Sequence, residues 1–207
     1  MSYLDEFLLI AISHFFAVAS PGPDFALVLK QSIQKGRNNA LATSAGIATG
    51  IFVHVSYCVF GVAIIISQSP QLFSALKYLA AGYLAYIGVM ALRATENTQS
   101  TEQQLTNQSH ESFKKAFSRG FLVNALNPKA TLFFLSLFTL VISVDTPVTV
   151  QAGYGLYMAL ATWAWFSFLS TVLSKQQVRQ FFLRAGHWFD RCIGVVLIGL
   201  AIRVVWI

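Results

Sequence analysis

Ser20-Pro21-Gly22-Pro23-Asp24 interrupts an otherwise apolar run from about Leu4 to Leu29. Two prolines and a glycine do not continue a helix, because each proline removes a backbone donor and clashes with the carbonyl four residues back. Asp24 adds a charge that costs about 2.5–3.5 kcal/mol at the centre of a membrane helix on insertion scales. Lipid tolerates such a segment only where protein or a water-lined cavity surrounds it. The rest of the chain reads as that surround. A milder break, Asn127-Pro128-Lys129, holds the matching place in the second half.

Of the 207 residues, 56% are hydrophobic and 11% charged, against about 25% charged in an ordinary soluble domain. The apolar residues form six long runs, several near the roughly 18–20 residues that span a bilayer. The chain is therefore read as an all-α, polytopic membrane protein. Its net charge of +6 needs no nucleic-acid partner, since cytoplasmic loops of membrane proteins collect Lys and Arg. Cys58 and Cys192 fall inside expected spans without metal-ligand spacing, so they read as small buried side chains. No cofactor or metal is implied. Asp5 and Glu6 near the start, with no small-residue cleavage site after them, indicate a retained first span rather than a signal peptide.

The expected spans are about Leu4–Leu29, Ala40–Ile66, Leu72–Leu92, Ala116–Val144, Val148–Leu173 and Phe189–Ile207. Lys30, Lys35, Gly36 and Arg37 form a basic loop after the first span, and Ser67 to Gln71, with Pro70, a short turn after the second. From Thr95 to Ser112 the sequence is Thr, Ser, Gln, Asn and Glu with little to bury, hence a solvated linker. The chain divides into a three-helix repeat (1–94), a polar cytoplasmic linker (95–113) and a second three-helix repeat (114–207).

Lys and Arg collect in the connections between spans one and two, three and four, and five and six; the other two are nearly bare. The basic connections then face the cytoplasm and both termini face outward. Lys77 and Arg203 run against the trend but lie close enough to span ends to snorkel. A unit of three spans inserts upside down when repeated, which gives two inverted repeats with broken first and fourth helices. At a rise of 1.5 Å per residue, Pro21 lies roughly 13 Å from Lys30 and Pro128 roughly 13 Å from Arg119. Both breaks sit near the bilayer midplane, where discontinuous transporter helices place their substrate.

At each break a half-helix begins, with Pro23 and Pro128 at its first position and Gly22 and Asn127 as caps. Such an N-terminus attracts anions. The expected site comprises Pro21, Gly22, Pro23, Asp24, Asn124, Asn127, Pro128 and Lys129. In it Lys129 and the backbone around Asn127 hold a carboxylate, and Asp24 holds an ammonium or a coupling proton. The competing structural reading has Asp24 and Lys129 neutralising each other to pin the repeats together. His14, seven residues before Pro21 and on the same face, is a second proton-coupling candidate; a buried, hydrogen-bonded histidine is the alternative. His54 reads as structural, and Trp163 and Trp165 as lipid or packing aromatics. No phosphate loop, metal cluster or nucleophile elbow occurs, so nothing reads as an enzyme.

These residues resemble the amino-acid exporters of the lysine-exporter superfamily, in its homoserine and threonine exporter branch. The resemblance rests on Ser20–Asp24 with Gly36-Arg37, on Gly46 to Gly50, and on Tyr83-Leu84-Ala85-Tyr86-Ile87-Gly88 with Arg93. It continues through Gly120-Phe121-Leu122-Val123-Asn124 into Asn127-Pro128-Lys129-Ala130, and the helix from Gly194 to Gly199. It implies export of small neutral amino acids or derivatives across a bacterial cytoplasmic membrane, driven by proton exchange. The partners are then the amino acid, protons and lipid. Gly46-x-x-x-Gly50 is a close-approach motif, so a homodimer through that face is a further possibility. A passive channel and a structural membrane protein are the other readings. Polar residues clustered at two breaks, rather than along a continuous face, favour a gated carrier.

Overall fold

The computed structural model describes residues 2–20, 22–62, 70–93, 111–143, 145–173 and, near the end, residues 191, 192, 194, 195, 198, 199, 201 and 202. Among these residues there is no strand. Helix α1 (Tyr3–Ala19) starts from a capping box in which Ser2 Oγ accepts the Asp5 N–H and the Asp5 carboxylate accepts the Ser2 N–H. It stops where the first proline motif begins. Helix α2 (Pro23–Gln34) starts at Pro23, whose fixed φ suits the first helical position. Gly36, at φ +81°, turns the chain into α3 (Arg37–Tyr57), which runs on as a wider π turn over Cys58–Val62. Helix α4 spans Pro70–Leu92. Helix α5 (Phe113–Ala125), capped by Ser112, meets α6 (Pro128–Leu140) at the second break, and α7 covers Val148–Val172. The described residues between 191 and 202 are helical too.

Two continuous stretches, Arg37–Gly61 and Val148–Val172, are long and apolar enough to cross a membrane. The pairs α1 + α2 and α5 + α6 pass the same test as single bent spans, with bends of 51° and 55°. The fold thus presents two to four candidate spans among its described residues, and both expected helix breaks are present. Helix α4 covers the third expected span, while 189, 190, 193, 196, 197, 200 and 203–207 of the sixth lie outside the described residues. Pro70 and Gln71, expected in a turn, are instead the first residues of α4, as a proline at a helix start permits. Lys30, expected in a loop, lies inside α2. Of the expected linker, 95–110 is outside the described residues; the Glu111 side chain, near its end, is buried rather than solvated, with 4% of it exposed.

Side-chain pairs give the helix directions. Tyr3 and Glu6 meet Tyr154 while His14 meets Thr162, so α1 runs parallel to α7. Thr43 meets Ala116 and Gly50 meets Asn124, so α3 runs parallel to α5. Ser44 meets Ser170 and Val55 meets Gly155, which makes α3 and α7 antiparallel. Ser20 reaches Lys129 and Asp24 reaches Asn124, so the two bent units also oppose each other.

The α3–α5 contact explains the small residues. A methyl group on Gly46 would overlap the Phe117 carbonyl, and one on Gly120 would overlap the Thr43 carbonyl. The two backbones therefore touch, as small residues allow in lipid. The Gly46–Gly50 face is thus covered by the chain's own α5, which removes it as a dimer contact. Apolar packing lies on both sides of the breaks. One cluster joins Ile10, Val55, Phe134, Leu137 and Met158; the other joins Phe25, Val28, Ile47, Phe166 and Leu169. Leu8, Ile12, Phe15, Phe52, Leu156, Leu160 and Trp163 point outward, which suits a lipid surround better than water.

Candidate functional site

The two breaks face each other between those clusters. Asp24, in the first turn of α2, accepts hydrogen bonds at one oxygen, Oδ2, from Asn124 Nδ2 (3.0 Å) and Asn127 Nδ2 (3.3 Å). Asn127 Oδ1 accepts the Lys129 backbone N–H at 3.0 Å and so caps α6. The Lys129 ammonium crosses to the other break and donates to Ser20 Oγ at 2.6 Å. Its stem passes over Gly22, where an added methyl would lie 3.7 Å from Cδ. Each break is thereby bonded to the other through its polar side chains.

These residues line one cavity. Asp24, Asn124, Asn127 and Lys129 form one part of its wall, with Ser20 and Gly22. His14 and Thr162 also line it, and Ile51, Phe133, Phe134 and Phe166 supply apolar wall. Three buried polar atoms here have no hydrogen-bond partner among the described residues: Asp24 Oδ1, Asn124 Oδ1 and His14 Nδ1. Buried polar groups are almost always satisfied, so each such atom calls for an explanation. Asp24 Oδ1 and Asn124 Oδ1 are both acceptors. Together they would suit a donor cation.

Of the sequence-expected site residues, Gly22, Pro23, Asp24, Asn124, Asn127 and Lys129 line the cavity. Pro128 opens α6 but is not in the cavity wall, and Pro21 is outside the described residues. The expectation that the α6 N-terminus offers its N–H groups is met only in part, because Asn127 takes that of Lys129. His14 is buried, with Nε2 3.1 Å from Thr162 Oγ1 and the rings of Phe133, Phe134 and Tyr157 around it.

His54 is a positioning group outside the cavity wall. Its Nε2 donates to the Asn124 carbonyl at 3.0 Å, its Nδ1 lies 2.7 Å from the Tyr57 hydroxyl, and its ring stacks on Phe134. It ties down the last turn of α5 from α3. Trp163 faces outward, and Trp165 packs edge-on against Phe15 and against the cluster that holds Phe25 and Phe166. Ser20, Thr162 and the three phenylalanines were not singled out as site residues by sequence. Ser20 lay within the quoted motif; Thr162 and the aromatics sit in apolar runs where only packing decides which face meets the cavity.

A membrane-type helical chain with two opposed, broken helix pairs enclosing a largely apolar cavity, with charged and amide groups where the breaks meet, has the form of a translocator for a small solute. The chain belongs to the LysE type translocator family, whose model matches residues 15–206. It is 27% identical to the threonine efflux protein of Escherichia coli K12 over 96% of this chain and 97% of that protein. The threonine efflux protein of Salmonella typhimurium is 26% identical with the same coverage. The uncharacterized membrane protein YahN of Escherichia coli K12 is 29% identical over 90% of this chain and 83% of its own length. No solved structure matches. The family is one of transporters, and its relatives are consistent with a role in amino-acid export.

Proposed function

We propose that the chain exports small neutral α-amino acids, threonine and homoserine foremost, from the bacterial cytoplasm across the inner membrane in exchange for protons. One observation carries the reading: two unpartnered acceptors, Asp24 Oδ1 and Asn124 Oδ1, share a cavity with the Lys129 ammonium. An α-amino acid brings the complementary pair, an ammonium for the acceptors and a carboxylate for Lys129. When the substrate leaves, a proton on Asp24 replaces its ammonium, which couples the two fluxes. His14 and Thr162 line the same cavity and supply the polar contact for a side-chain hydroxyl. A hydroxyl both donates and accepts, so it satisfies His14 Nδ1 in either tautomer. The printed function of the Escherichia coli relative points the same way.

Six spans in two inverted repeats, with outward termini, complete the proposal. The parallel and antiparallel pairs above match a chain that alternates direction at every span. The Gly88–Gly194 contact adds support. A methyl on Gly88 would lie 3.0 Å from the Gly194 carbonyl, and one on Gly194 would lie 2.6 Å from the Gly88 carbonyl. The contact joins the third helix of one half to the third helix of the other, as packing of the two repeats against each other requires.

The test is efflux from proteoliposomes loaded with labelled threonine, homoserine or valine, with and without a proton gradient. Wild type is expected to move the two hydroxylated substrates in a gradient-dependent way. Asp24→Asn should reduce this by about 100-fold, in line with the ~3 kcal/mol lost when a buried charge loses its partner, while the protein still inserts. Unchanged efflux in Asp24→Asn would overturn the assigned role. His14→Phe should narrow the preference for threonine over its near-isostere valine, because a site built around a hydroxyl rejects the analogue lacking it.

A further inference from the structure

Two carboxylates outside the cavity occupy equivalent places in the two halves. Glu6 precedes Pro23 by 17 residues, and Glu111 precedes Pro128 by the same 17. Neither lies within the broken segments, and both are held by several donors. Glu6 is fully buried and accepts from the Ser143 N–H (2.9 Å), the Thr146 hydroxyl (2.9 and 3.0 Å) and the Tyr154 hydroxyl (3.1 Å). It fastens α1 to the α6–α7 connection and the first turns of α7. Glu111 accepts from Gln31 Nε2 (2.9 Å) and pairs with the Arg119 guanidinium (2.9 Å), while its carbonyl accepts from Asn39 Nδ2 (3.1 Å). It fastens the start of α5 to the end of α2 and the first turn of α3.

The two clamps correspond in outline. The Glu6 carboxylate grips the connection that leaves the second broken pair, while the Glu111 carboxylate grips the last turn of the first broken pair and its backbone carbonyl holds the first turn of α3. At 1.5 Å per residue, Glu6 stands about 20 Å from Ser20 along α1, and Glu111 about 20 Å from Asn124 along α5. Since the broken pairs run in opposite directions, the clamps lie toward opposite ends of the cavity.

We propose that Glu6 and Glu111 are paired gate latches, one for each side of the membrane, and that solute passes when one releases while the other holds. Both are made in this structure. They differ in chemistry: among the described residues the Glu6 latch uses neutral donors, whereas the Glu111 latch includes Arg119, on the side where the basic connections lie. The inference rests on the chain acting as a carrier but not on its cargo or coupling ion.

A test that does not depend on transport uses a full-length, cysteine-free background (Cys58→Ala, Cys192→Ser) with Ala17→Cys as a reporter in the cavity wall. A membrane-impermeant maleimide is added to one face of oriented vesicles at a time. Glu6→Gln places an amide donor among donors and should open its latch. Labelling from the face carrying the chain start should rise about tenfold, the scale of a modest population shift. Glu111→Gln should raise labelling from the opposite face. A rise from the same face in both variants, or from neither face, overturns the proposal. If either variant does not fold, Glu6→Cys with Thr146→Cys replaces it. Oxidation should then suppress maleimide labelling of the Ala17→Cys reporter from that face, read by peptide mass, and reduction restore it; labelling that persists through a formed cross-link overturns the latch. Failure of the cargo assignment would leave the maleimide result intact, so the two are distinguishable.

Discussion

Where α1 gives way to α2, the cap is Gly22 and the second helical residue is Asp24; where α5 gives way to α6, the cap is Asn127 and the second residue is Lys129. Proline opens both helices. A carboxylate at a helix N-terminus is favoured by the helix dipole, and an ammonium there is disfavoured by a similar 0.3–1 kcal/mol or so. Asp24 therefore suits its own helix, and Lys129 does not. The position of Lys129 is explained by what lies across the gap, where it donates to Ser20 while the two asparagines of the second break donate to Asp24. The first break lends an anion and a hydroxyl; the second lends a cation and two amides. Neither is satisfied alone, so the cavity exists only when the halves are assembled.

The strongest way to break this comparison is to exchange the charges. Asp24→Lys with Lys129→Asp keeps the net charge but removes the Asn124 and Asn127 bonds that only an acceptor at 24 can take. Transport should stay about 100-fold or more below wild type, as expected when a buried charge is left without its donors. Efflux assays would show this, and recovery to wild-type levels would mean the pair is only a structural ion pair. A medium effect is expected from Gly50→Ala, whose methyl would lie 2.6 Å from Asn124 Oδ1. Asn124 must then shift from its place beside Gly50, with a loss of about 1–3 kcal/mol for overpacking, visible as a lower melting temperature in detergent.

The caps sharpen the comparison with smaller effects. Asn127→Ala removes both the α6 cap and a donor to Asp24, and about 0.5–2 kcal/mol of stability should go with the cap. Gly22→Ala should be close to neutral. Its backbone, at φ −166°, is extended, and the added methyl meets Lys129 Nζ no closer than 3.5 Å. Thermal melts of the two variants side by side should rank them in that order; a larger loss from Gly22→Ala would show that the first break needs its glycine for some other reason.

The breaks were legible in the sequence because proline and charge in an apolar run have few physical outcomes. Asp24, Asn124, Asn127 and Lys129 could be nominated from spacing alone, and the cavity contains all four. His54, read from the sequence as structural, lies outside the cavity wall, and its partner, the Asn124 carbonyl, was not readable. Glu6 and Glu111 were passed over: one looked like an ordinary terminal acid, the other like part of a solvated linker. Their burial depends on donors at 143–154 and 31–39, remote in the chain. The identical spacing to the two prolines was the signal available, and it has meaning only once the halves are aligned.

By itself the sequence determined that the chain is helical and membrane-like, that two helices are broken, and which charged residues stand at the breaks. These follow from local rules: proline geometry, apolar run length and the expense of charge in lipid. Tertiary structure alone decided that Lys129 reaches Ser20, that one buried Asp24 oxygen has no partner among the described residues, and that Gly46 lies on α5 rather than on a second copy. Such outcomes depend on which faces meet, and contacts between distant segments are set by packing and by the need to satisfy every buried polar group, neither of which spacing along the chain encodes.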